Sequence, residues 1–333
     1  MRERILFVVA DLGEEEKVQK NEFDTSLDEY AGELKFFAAR PDAAILKIAS
    51  DDFDDKRALK KKILDLSPFC IFNRFEGWSN NSATEIEFVR LLEETGIPFT
   101  GNSSYTLDLC LNKWGAKELL RKNGVPVPPG VFIDDIGKID TRGLCFPLFL
   151  KPCCEDASTG IDKESRVEDE EALFTAAASK LKQFPKGLVA EEFLPGKEYA
   201  VGMIGNSTYD VLGVSVLDYS VHEGQWSFLT YDAKWIANAP EYRKLMPSLD
   251  EQIPGDIMEQ LTGAAMRTAR AFKCRGYFRI DTREKNGQVF VIDVNPNPDL
   301  SGDSGFTRMA IKKGYTYEGV VECIIELAME GRR

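Results

Sequence analysis

The residues best suited to chemistry lie close together near the carboxyl end of the chain. Asp281 falls in one apolar run, and Asp293 and Asn295 fall two residues apart in the next. Side chains at positions i and i+2 of a β-strand point to the same face. Two carboxylates and one amide oxygen on one face are hard ligands that suit Mg²⁺ shared with phosphate groups. The pattern predicts a Mg²⁺ site, and the alternative is a surface hairpin with ordinary charges.

Arg279 stands two residues before Asp281 and therefore shares its face of the strand. Its planar guanidinium could stabilise negative oxygens on a reacting carboxylate or phosphate. The same face would then carry both metal ligands and a fixed cation.

Lys151 ends the apolar segment 148–150, and a loop of small residues follows at 156–160. Backbone N–H groups of small residues can approach phosphate oxygens closely. The pattern favours a phosphate clamp, although the chain has no G-x-x-x-x-G-K-[ST] motif and a plain turn is the alternative.

Glu191 and Glu198 flank a segment that includes Phe193 and Leu194. A strand edge that offers backbone groups, with a carboxylate on either side, could bind an adenine and its ribose. The alternative is a solvated turn between two strands.

Composition excludes several other classes of function. The chain has 333 residues, of which 43% are hydrophobic and 29% charged, and its net charge is −13. Nucleic-acid binding needs a basic face, and the sequence offers none of any length. His222 is the one histidine, so Ser-His-Asp hydrolysis and His-rich metal sites are poor candidates.

The cysteines and the apolar runs indicate a cytoplasmic protein. The seven cysteines are an odd number without a C-x-x-C pair, and Cys153-Cys154 is their one cluster. No apolar run approaches the ~20 residues that span a bilayer. Residues 1–10 lack the features of a secretory signal and are interpreted as a first strand.

Three strand-like runs, at 5–10, 43–50 and 70–75, alternate with helical segments and precede a helix at 84–95. This β-α-β alternation predicts a small parallel sheet covered by helices. The rest of the chain predicts mixed strands and helices. The helices are expected at 112–122, 168–184, 253–274 and 317–330, and the strands at 146–152, 188–193, 199–204, 211–217, 277–282 and 288–295.

In this order, the segments resemble the ATP-grasp superfamily and, within it, the D-alanine–D-alanine ligase family. The similarity runs from about Phe72 to the carboxyl terminus. It depends on seven short motifs taken together, because each alone is weak. They are Asn112-Lys113, Phe146–Pro152, Ser158–Ile161, Glu191–Glu198, Tyr231–Trp235, Gly276–Asp281 and Asp293–Pro296.

The resemblance implies an α/β ATP-grasp fold with an amino-terminal parallel-sheet domain of the pre-ATP-grasp, Rossmann-like type. We expect three parts: an amino-terminal domain at 1–111, a central ATP-grasp subdomain at 112–205, and a carboxyl-terminal subdomain at 206–333 with the metal and catalytic residues. ATP would bind between the last two.

The resemblance also implies roles for the matched positions. Arg279 would hold the oxygens of the tetrahedral intermediate, Lys234 would reach the γ-phosphate, and Ser304 would contact the second substrate's carboxylate. The other positions would bind the cofactors. For ATP these are Lys113, Lys151, Ser158, Thr159, Gly160, Glu191, Leu194 and Glu198; for two Mg²⁺ ions, with Mn²⁺ as a substitute, they are Asp281, Asp293 and Asn295.

The implied reaction joins a carboxylate to an amine. ATP converts the carboxylate to an acyl-phosphate, the amine displaces phosphate, and the protein supplies positioning and charge stabilisation. The substrates would be small-molecule carboxylates and amines, amino acids in the first place, and the product would be a dipeptide or an amino-acid amide. A homodimer is compatible with the resemblance.

Departures from the family pattern fall on the two substrate pockets. The family's Gly-Gly-x-Ser-x-Glu-type motif is absent, and Glu14, Glu15 and Glu16 occupy that region. Other segments also differ: Asn73–Trp78 replaces a His-Gly-x-x-Gly-Glu-Asp-Gly segment, and Ala157, Trp235 and Asp299 replace a serine, a tyrosine and a glycine. We therefore expect an altered substrate, with Arg74, Glu76, Asp299 and Asp303 helping to define it.

Three other functions stay open from the sequence. One is authentic D-alanine–D-alanine ligase activity in cell-wall synthesis, which the absent amino-terminal motif disfavours. The second is an ATP-grasp kinase or carboxylase with another acceptor. The third is a non-catalytic nucleotide-binding regulator, which would not need Arg279.

Overall fold

The structure is a computed structural model, and it describes residues 4–11, 30–78, 82–222, 228, 230, 247–249 and 251–330. Within these ranges, no helix combines the length and the apolar character that a bilayer span requires.

The amino-terminal sheet consists of three parallel strands in the order β2-β1-β3. All six residues of β1 are buried, as expected for the central strand of a sheet that is covered on both faces. Its strands are β1 Ile5–Ala10, β2 Ala43–Ile48 and β3 Cys70–Arg74. Its helices are α1 Ala31–Ala38, α2 Ser50–Asp54, α3 Lys56–Asp65, α4 Ser82–Thr95 and α5 Ser104–Leu111.

The central sheet is antiparallel, with the strand order β4-β7-β5-β6. One face is covered by α7, which buries Leu173 and Ala177 in the same cluster as Leu150 and Ala190. The elements of this region are α6 Lys113–Lys122, β4 Gly130–Ile133, β5 Leu148–Pro152, β6 Arg166–Val167, α7 Glu170–Gln183 and β7 Leu188–Glu192.

The carboxyl-terminal sheet is also antiparallel, with the strand order β11-β10-β8-β9. Asn286 and Gly287 have φ values of 53° and 76°, the left-handed backbone of a two-residue hairpin turn between β10 and β11. The elements are β8 Glu198–Gly205, β9 Tyr209–Leu217, α8 Gly255–Phe272, β10 Tyr277–Lys285, β11 Gln288–Asn295, α9 Gly305–Lys313 and α10 Tyr317–Met329.

The predicted α/β class, with its amino-terminal parallel sheet, is confirmed. Two helices, α5 and α9, were not expected. The polar segments 101–103 and 301–304 precede them, and each helix has only about two turns, too short to show a clear 3.6-residue period.

The pairing of β8 bears on the division of the chain. This strand pairs with β9 on one side and β10 on the other, so a boundary after residue 205 would divide one sheet. We propose that the central and carboxyl-terminal parts meet at 193–197, between β7 and β8.

Candidate functional site

A cavity of about 660 Å³ lies between the central sheet and the carboxyl-terminal sheet. Its wall includes most of the residues that the sequence singled out. These are Lys113, Lys151, Ser158, Thr159, Glu191, Leu194, Glu198, Arg279, Asp281, Asp293 and Asn295.

The hairpin of β10 and β11 brings the acidic residues to one face. Asp281 pairs directly with Asp293 across the strands, and Arg279 pairs with Asn295. Directly opposed residues of an antiparallel pair share a face. The chain thus places two carboxylates, an amide and a guanidinium side by side.

A β-bulge interrupts the hairpin next to this group. Thr282 pairs with Val291 although Asp281 pairs with Asp293, so Ile292 is the extra residue. A bulged residue is left out of the ladder. The Nζ atom of Lys151 donates to the Ile292 carbonyl at 3.2 Å, and the bulge thereby fixes a cation from the central sheet against the hairpin.

Arg279 holds the carboxylate of Asp281 through two bonds. Its Nε donates to Oδ1 at 2.7 Å and its Nη2 to Oδ2 at 2.8 Å. Burial opposes the charged guanidinium, but Asp281 outweighs it and raises the pKa of Arg279. Arg279 therefore stays cationic. The Nδ2 atom of Asn295 also donates to Asp281 Oδ2, at 2.9 Å, which directs the amide oxygen of Asn295 away from that carboxylate.

Asp293 is ionised by the lysines around it. The Nζ atom of Lys113 lies 3.7 Å from its Oδ1. Burial raises the pKa of Asp293, but Lys113 and Lys151 act against it, and the net effect is a lowered pKa. Lys113 begins α6, where its N–H donates to the Cys153 carbonyl at 2.9 Å and so ties the helix to the end of β5.

These side chains fit a hard divalent cation. Asp281 and Asp293 offer carboxylate oxygens and Asn295 an amide oxygen, the ligand chemistry that Mg²⁺ prefers. In the part of the chain that the structure describes, no group of three or more His, Cys, Asp or Glu could hold a metal. The fit thus depends on the amide and on oxygens that a bound phosphate would add.

Glu191 lies between two lysines, which the sequence did not predict. Its Oε1 accepts from Lys151 at 2.8 Å, and its Oε2 accepts from Lys117. Burial opposes ionisation of Glu191, but the lysines outweigh it and lower its pKa to about 2. Burial lowers the pKa of Lys117 to about 8, against the attraction of Glu191.

Lys117 was missed in the sequence, although a signal was present. It stands four residues after Lys113, so both lysines lie on one face of α6. Both oxygens of Glu191 accept from lysines, so this carboxylate holds Lys151 in position. Its contact with an adenine stays a prediction.

Aromatic rings line the cavity beside the segment 191–198. Phe149 and Phe228 lie 5.0 Å apart between ring centroids, and the Arg283 guanidinium lies 4.9 Å from the centroid of Phe193. Flat apolar walls of this kind suit a planar base. Glu198, at the far end of the segment, accepts from the Tyr219 hydroxyl at 2.9 Å.

The small-residue loop has a strained backbone. Ala157 and Ser158 have φ values of 54° and 65°, and the Asp156 side chain accepts from the Ala157 N–H at 2.7 Å. Successive turns of this kind point N–H groups into a concave surface that suits anions. Gly160 is not part of the cavity wall. It packs under the loop, where a Cβ would lie 2.6 Å from the Phe184 ring.

Ser304 borders the cavity without being part of its wall. Ser304 is the N-cap of α9, where its Oγ accepts from the Thr307 N–H at 3.2 Å, and its neighbour Gly305 lines the cavity. Lys234 and Trp235 lie outside the described residues, as do Glu14–Glu16.

Arg74 forms ion pairs with three carboxylates. It contacts Glu33 of α1 at 3.0 Å, Glu76 at 2.8 Å and Asp299 at 3.4 Å. The guanidinium is 1% exposed and Glu33 is 0% exposed, whereas Glu76 and Asp299 are 36% and 41% exposed. Three of the four residues expected to define the substrate are therefore in contact, and Asp303 lines the cavity.

Comparison with known proteins agrees with this architecture. The family described as "D-ala D-ala ligase C-terminus" matches residues 119–326. The uncharacterized protein y4sG of Sinorhizobium fredii is 31% identical over 239 residues, which cover 72% of this chain and 68% of that protein. The D-alanine–D-alanine ligase of Haemophilus ducreyi is 29% identical over 244 residues, covering 72% and 74%.

Solved structures show the same fold over nearly the whole chain. The D-alanine–D-alanine ligase of Bacillus anthracis, complexed with ATP, has a TM-score of 0.72 at 20% identity and covers 99% of this chain and 98% of that one. VanG D-Ala:D-Ser ligase of Enterococcus faecalis has a TM-score of 0.74 at 17% identity, covering 98% and 100%. The fold is therefore that of the ATP-grasp enzymes, and the chain belongs to the D-alanine–D-alanine ligase family.

Proposed function

We propose that this protein is an ATP-dependent ligase that joins the carboxylate of one amino acid to the amine of another and releases ADP and phosphate. The observation that carries the proposal is the cavity between the two antiparallel sheets. Lys113 of α6 and Lys151 of β5 meet Arg279, Asp281 and Asp293 of the β10–β11 hairpin in its wall. At about 660 Å³ the cavity is within the usual size range of small-molecule sites.

The first chemical step requires the substrate carboxylate to attack the γ-phosphorus of ATP while ADP leaves. Charge accumulates on the phosphate oxygens, and buried cations stabilise it because little water competes. Lys151 is held by Glu191 and by the Ile292 carbonyl, so its position is set before the nucleotide binds.

The second step forms the amide. The amine attacks the acyl carbon and gives up a proton, a tetrahedral intermediate carries the negative charge on oxygen, and the bond from the acyl carbon to the phosphate oxygen then breaks as phosphate departs. Arg279 uses its Nε and one Nη2 hydrogen on Asp281. Among the described residues, no acceptor takes its other N–H groups, which could therefore bind substrate oxygens and hold the intermediate.

Mg²⁺ is the proposed metal, held by Asp281, Asp293 and Asn295, with Mn²⁺ as a substitute. When bound, it would neutralise negative charge on the phosphate oxygens. Asp281 and Asn295 are already oriented by one hydrogen bond between them.

The substrates are proposed to be amino acids other than a pair of D-alanines. The relatives are named for D-alanine, and the VanG enzyme is named for D-alanine and D-serine. In this chain Ala157 and Asp299 replace the family's serine and glycine, and the Arg74 cluster includes Asp299. Asp299 adds a carboxylate to this group, where three carboxylates surround the single guanidinium of Arg74, and the net negative charge favours a substrate with a cationic group near it.

A panel of amino acids tests the proposal. Phosphate release from Mg²⁺-ATP is measured with D- and L-amino acids, singly and in pairs, and products are identified by mass spectrometry. Turnover with a pair other than D-alanine supports it. A D-alanine dipeptide would instead establish the cell-wall ligase activity, and amine-independent phosphate transfer would establish a kinase or carboxylase.

Asp281→Ala supplies the matched test of the site. We expect it to abolish turnover, whereas Asp140→Ala should leave turnover unchanged. Asp140 forms a similar two-bond pair with Arg142, but on the surface. Normal Mg²⁺-dependent activity in Asp281→Ala would contradict the metal assignment.

Assembly and compartment are part of the same proposal. We take the protein to act in the cytoplasm, where ATP is available, and to form a homodimer. Light scattering on the purified chain tests the second point, and a mass of 37.4 kDa would contradict it.

A further inference from the structure

The Asn102 side chain is fully buried and lies outside the cavity. It binds the ends of both strands of the β10–β11 hairpin, which carries the proposed metal ligands. It is 0% exposed. Its Nδ2 donates to the Tyr277 carbonyl at 3.2 Å and also to the Pro296 carbonyl. Its Oδ1 accepts from the Arg275 N–H at 2.9 Å. Tyr277 begins β10 and Pro296 follows β11, so one amide joins the two strands where their ladder stops.

The sequence explains why the hairpin needs such a group. The last pair of the ladder joins Arg279 to Asn295. Pro296 and Pro298 follow, and proline has no N–H to continue an antiparallel ladder. Carbonyls left at a buried strand end require a donor, and Asn102 provides it from the amino-terminal part of the chain.

A second asparagine extends this connection. The Asn297 side chain accepts from the Asn102 N–H at 2.9 Å through Oδ1, and it donates to Glu85 of α4 at 2.8 Å through Nδ2. The approach is close, because a Cβ on Gly101 would lie 2.7 Å from Asn297 Oδ1. Asn102, Asn297 and Glu85 are hereafter called the asparagine clasp.

We propose that Asn102 is a positioning residue that holds the strand ends carrying the metal ligands. Asn295, the last residue of β11, precedes Pro296 and stands two residues after Asp293, which pairs with Asp281. Without the clasp, the ends of β10 and β11 lose their donor and separate, and the Asn295 amide no longer keeps its place beside Asp281. This inference rests on the proposed function, because it assumes that the hairpin binds a divalent cation.

The test measures metal binding directly. Free Mn²⁺ is followed by electron paramagnetic resonance in the presence of a non-hydrolysable ATP analogue, with no amino acid added. We expect Asn102→Ala to weaken Mn²⁺ binding about tenfold or more. Asn297→Ala keeps the Asn102 side chain and should weaken it about threefold, which provides a milder variant should Asn102→Ala fail to fold.

Thr106→Val is the matched control. Thr106 is also fully buried and donates at 3.0 Å to the Phe272 carbonyl, at the same junction between the amino- and carboxyl-terminal parts. The hydrogen bonds that the structure shows for Thr106 go to Ser103 and Phe272, and none goes to the described residues of β10 or β11. We expect Thr106→Val to lower the unfolding temperature without changing Mn²⁺ binding.

The outcomes separate the two proposals. Equal Mn²⁺ affinity in the wild-type chain and in both asparagine variants would overturn the positioning role, as would an equal loss in Thr106→Val. Weakened binding in the asparagine variants alone supports it, even if the wild-type chain then forms no amide with any amino acid. That last result would contradict only the proposed ligase reaction.

Discussion

Arg279 and Asp281 stand two residues apart on β10 and form a two-bond ion pair within the cavity, with N–O distances of 2.7 and 2.8 Å. The pair fixes the plane of the guanidinium and the orientation of a proposed metal ligand at once. A lysine keeps the charge but cannot bind both oxygens in one plane.

Arg279→Lys should therefore lower kcat of phosphate release about 100-fold, the usual loss for one oxyanion-stabilising donor, and change KM for ATP little. The surface pair Arg142–Asp140 has the same spacing and two bonds, so Arg142→Lys is its control. Equal kcat in the wild type and Arg279→Lys would remove Arg279 from the reaction.

Lys117 is predicted to act on ATP binding through Glu191. Lys117→Met frees one oxygen of Glu191, which then draws Lys151 away from the Ile292 carbonyl. We expect KM for ATP to rise about tenfold, which corresponds to about 1.4 kcal/mol of binding. Steady-state kinetics at varied ATP measures it.

The exposed lysine of the Lys61–Asp65 pair provides the control for that substitution. Lys61→Met makes the same change in another helix, and it should leave KM unchanged because exposed pairs contribute little. A normal KM in Lys117→Met would mean that Lys151 keeps its position without this support.

Much of this site follows from the sequence, for a physical reason. The period of two along a strand is rigid, so the relation of Asp293 to Asn295 and of Arg279 to Asp281 could be read from spacing alone. The Asn286-Gly287 turn alone would place Asp281 opposite Ile292 and leave Asp293 on the other face, so the approach of the two carboxylates depends on the bulge at Ile292.

Contacts between distant segments could not be predicted in this way. Glu191 and Lys117 are 74 residues apart, and Asn102 and Pro296 are 194 apart. Such pairs depend on how the three sheets pack, which no local period encodes. The bulge at Ile292 was equally hidden, because a single extra residue leaves the apolar pattern of the strand intact.

Glu191 should make the protein sensitive to acid. Its pKa falls from 4.5 in the unfolded chain to about 2 in the fold, so its ionised form stabilises the native state by about 3 kcal/mol above pH 4.5. That stability is lost as the pH falls from about 4.5 to about 2. Chemical unfolding at several pH values measures it.

Glu191→Gln should lack this acid-dependent loss, and its free energy of unfolding should change less than that of the wild type over the same range. Glu94→Gln, which alters an exposed carboxylate paired with Lys60, should keep the wild-type profile. If the free energy of unfolding changed equally with pH in all three chains, Glu191 would not be held ionised by its lysines.

Glu76 is predicted to contribute to substrate recognition. It is partly exposed and held by the buried Arg74, so its carboxylate has a fixed place. Glu76→Ala should raise KM for the amino-acid substrate about tenfold, while KM for ATP stays the same. Glu94→Ala serves as the exposed control, and an unchanged amino-acid KM would remove Glu76 from the pocket.

Position 160 is predicted to require glycine for two reasons: the left-handed backbone and the close packing around it. Its φ is +75°, and a Cβ would lie 2.6 Å from the Phe184 ring and 2.7 Å from Pro152. Gly160→Ala should therefore lower the free energy of unfolding by about 3 kcal/mol, the sum of a left-handed alanine and an overpacked contact.

Gly143 separates these two contributions. Its φ is +85° and a Cβ there meets nothing within 4 Å, so Gly143→Ala should cost only about 1 kcal/mol. Urea unfolding of both variants gives the comparison. Equal losses would mean that Phe184 moves aside at no cost, and that the left-handed backbone alone makes position 160 a glycine.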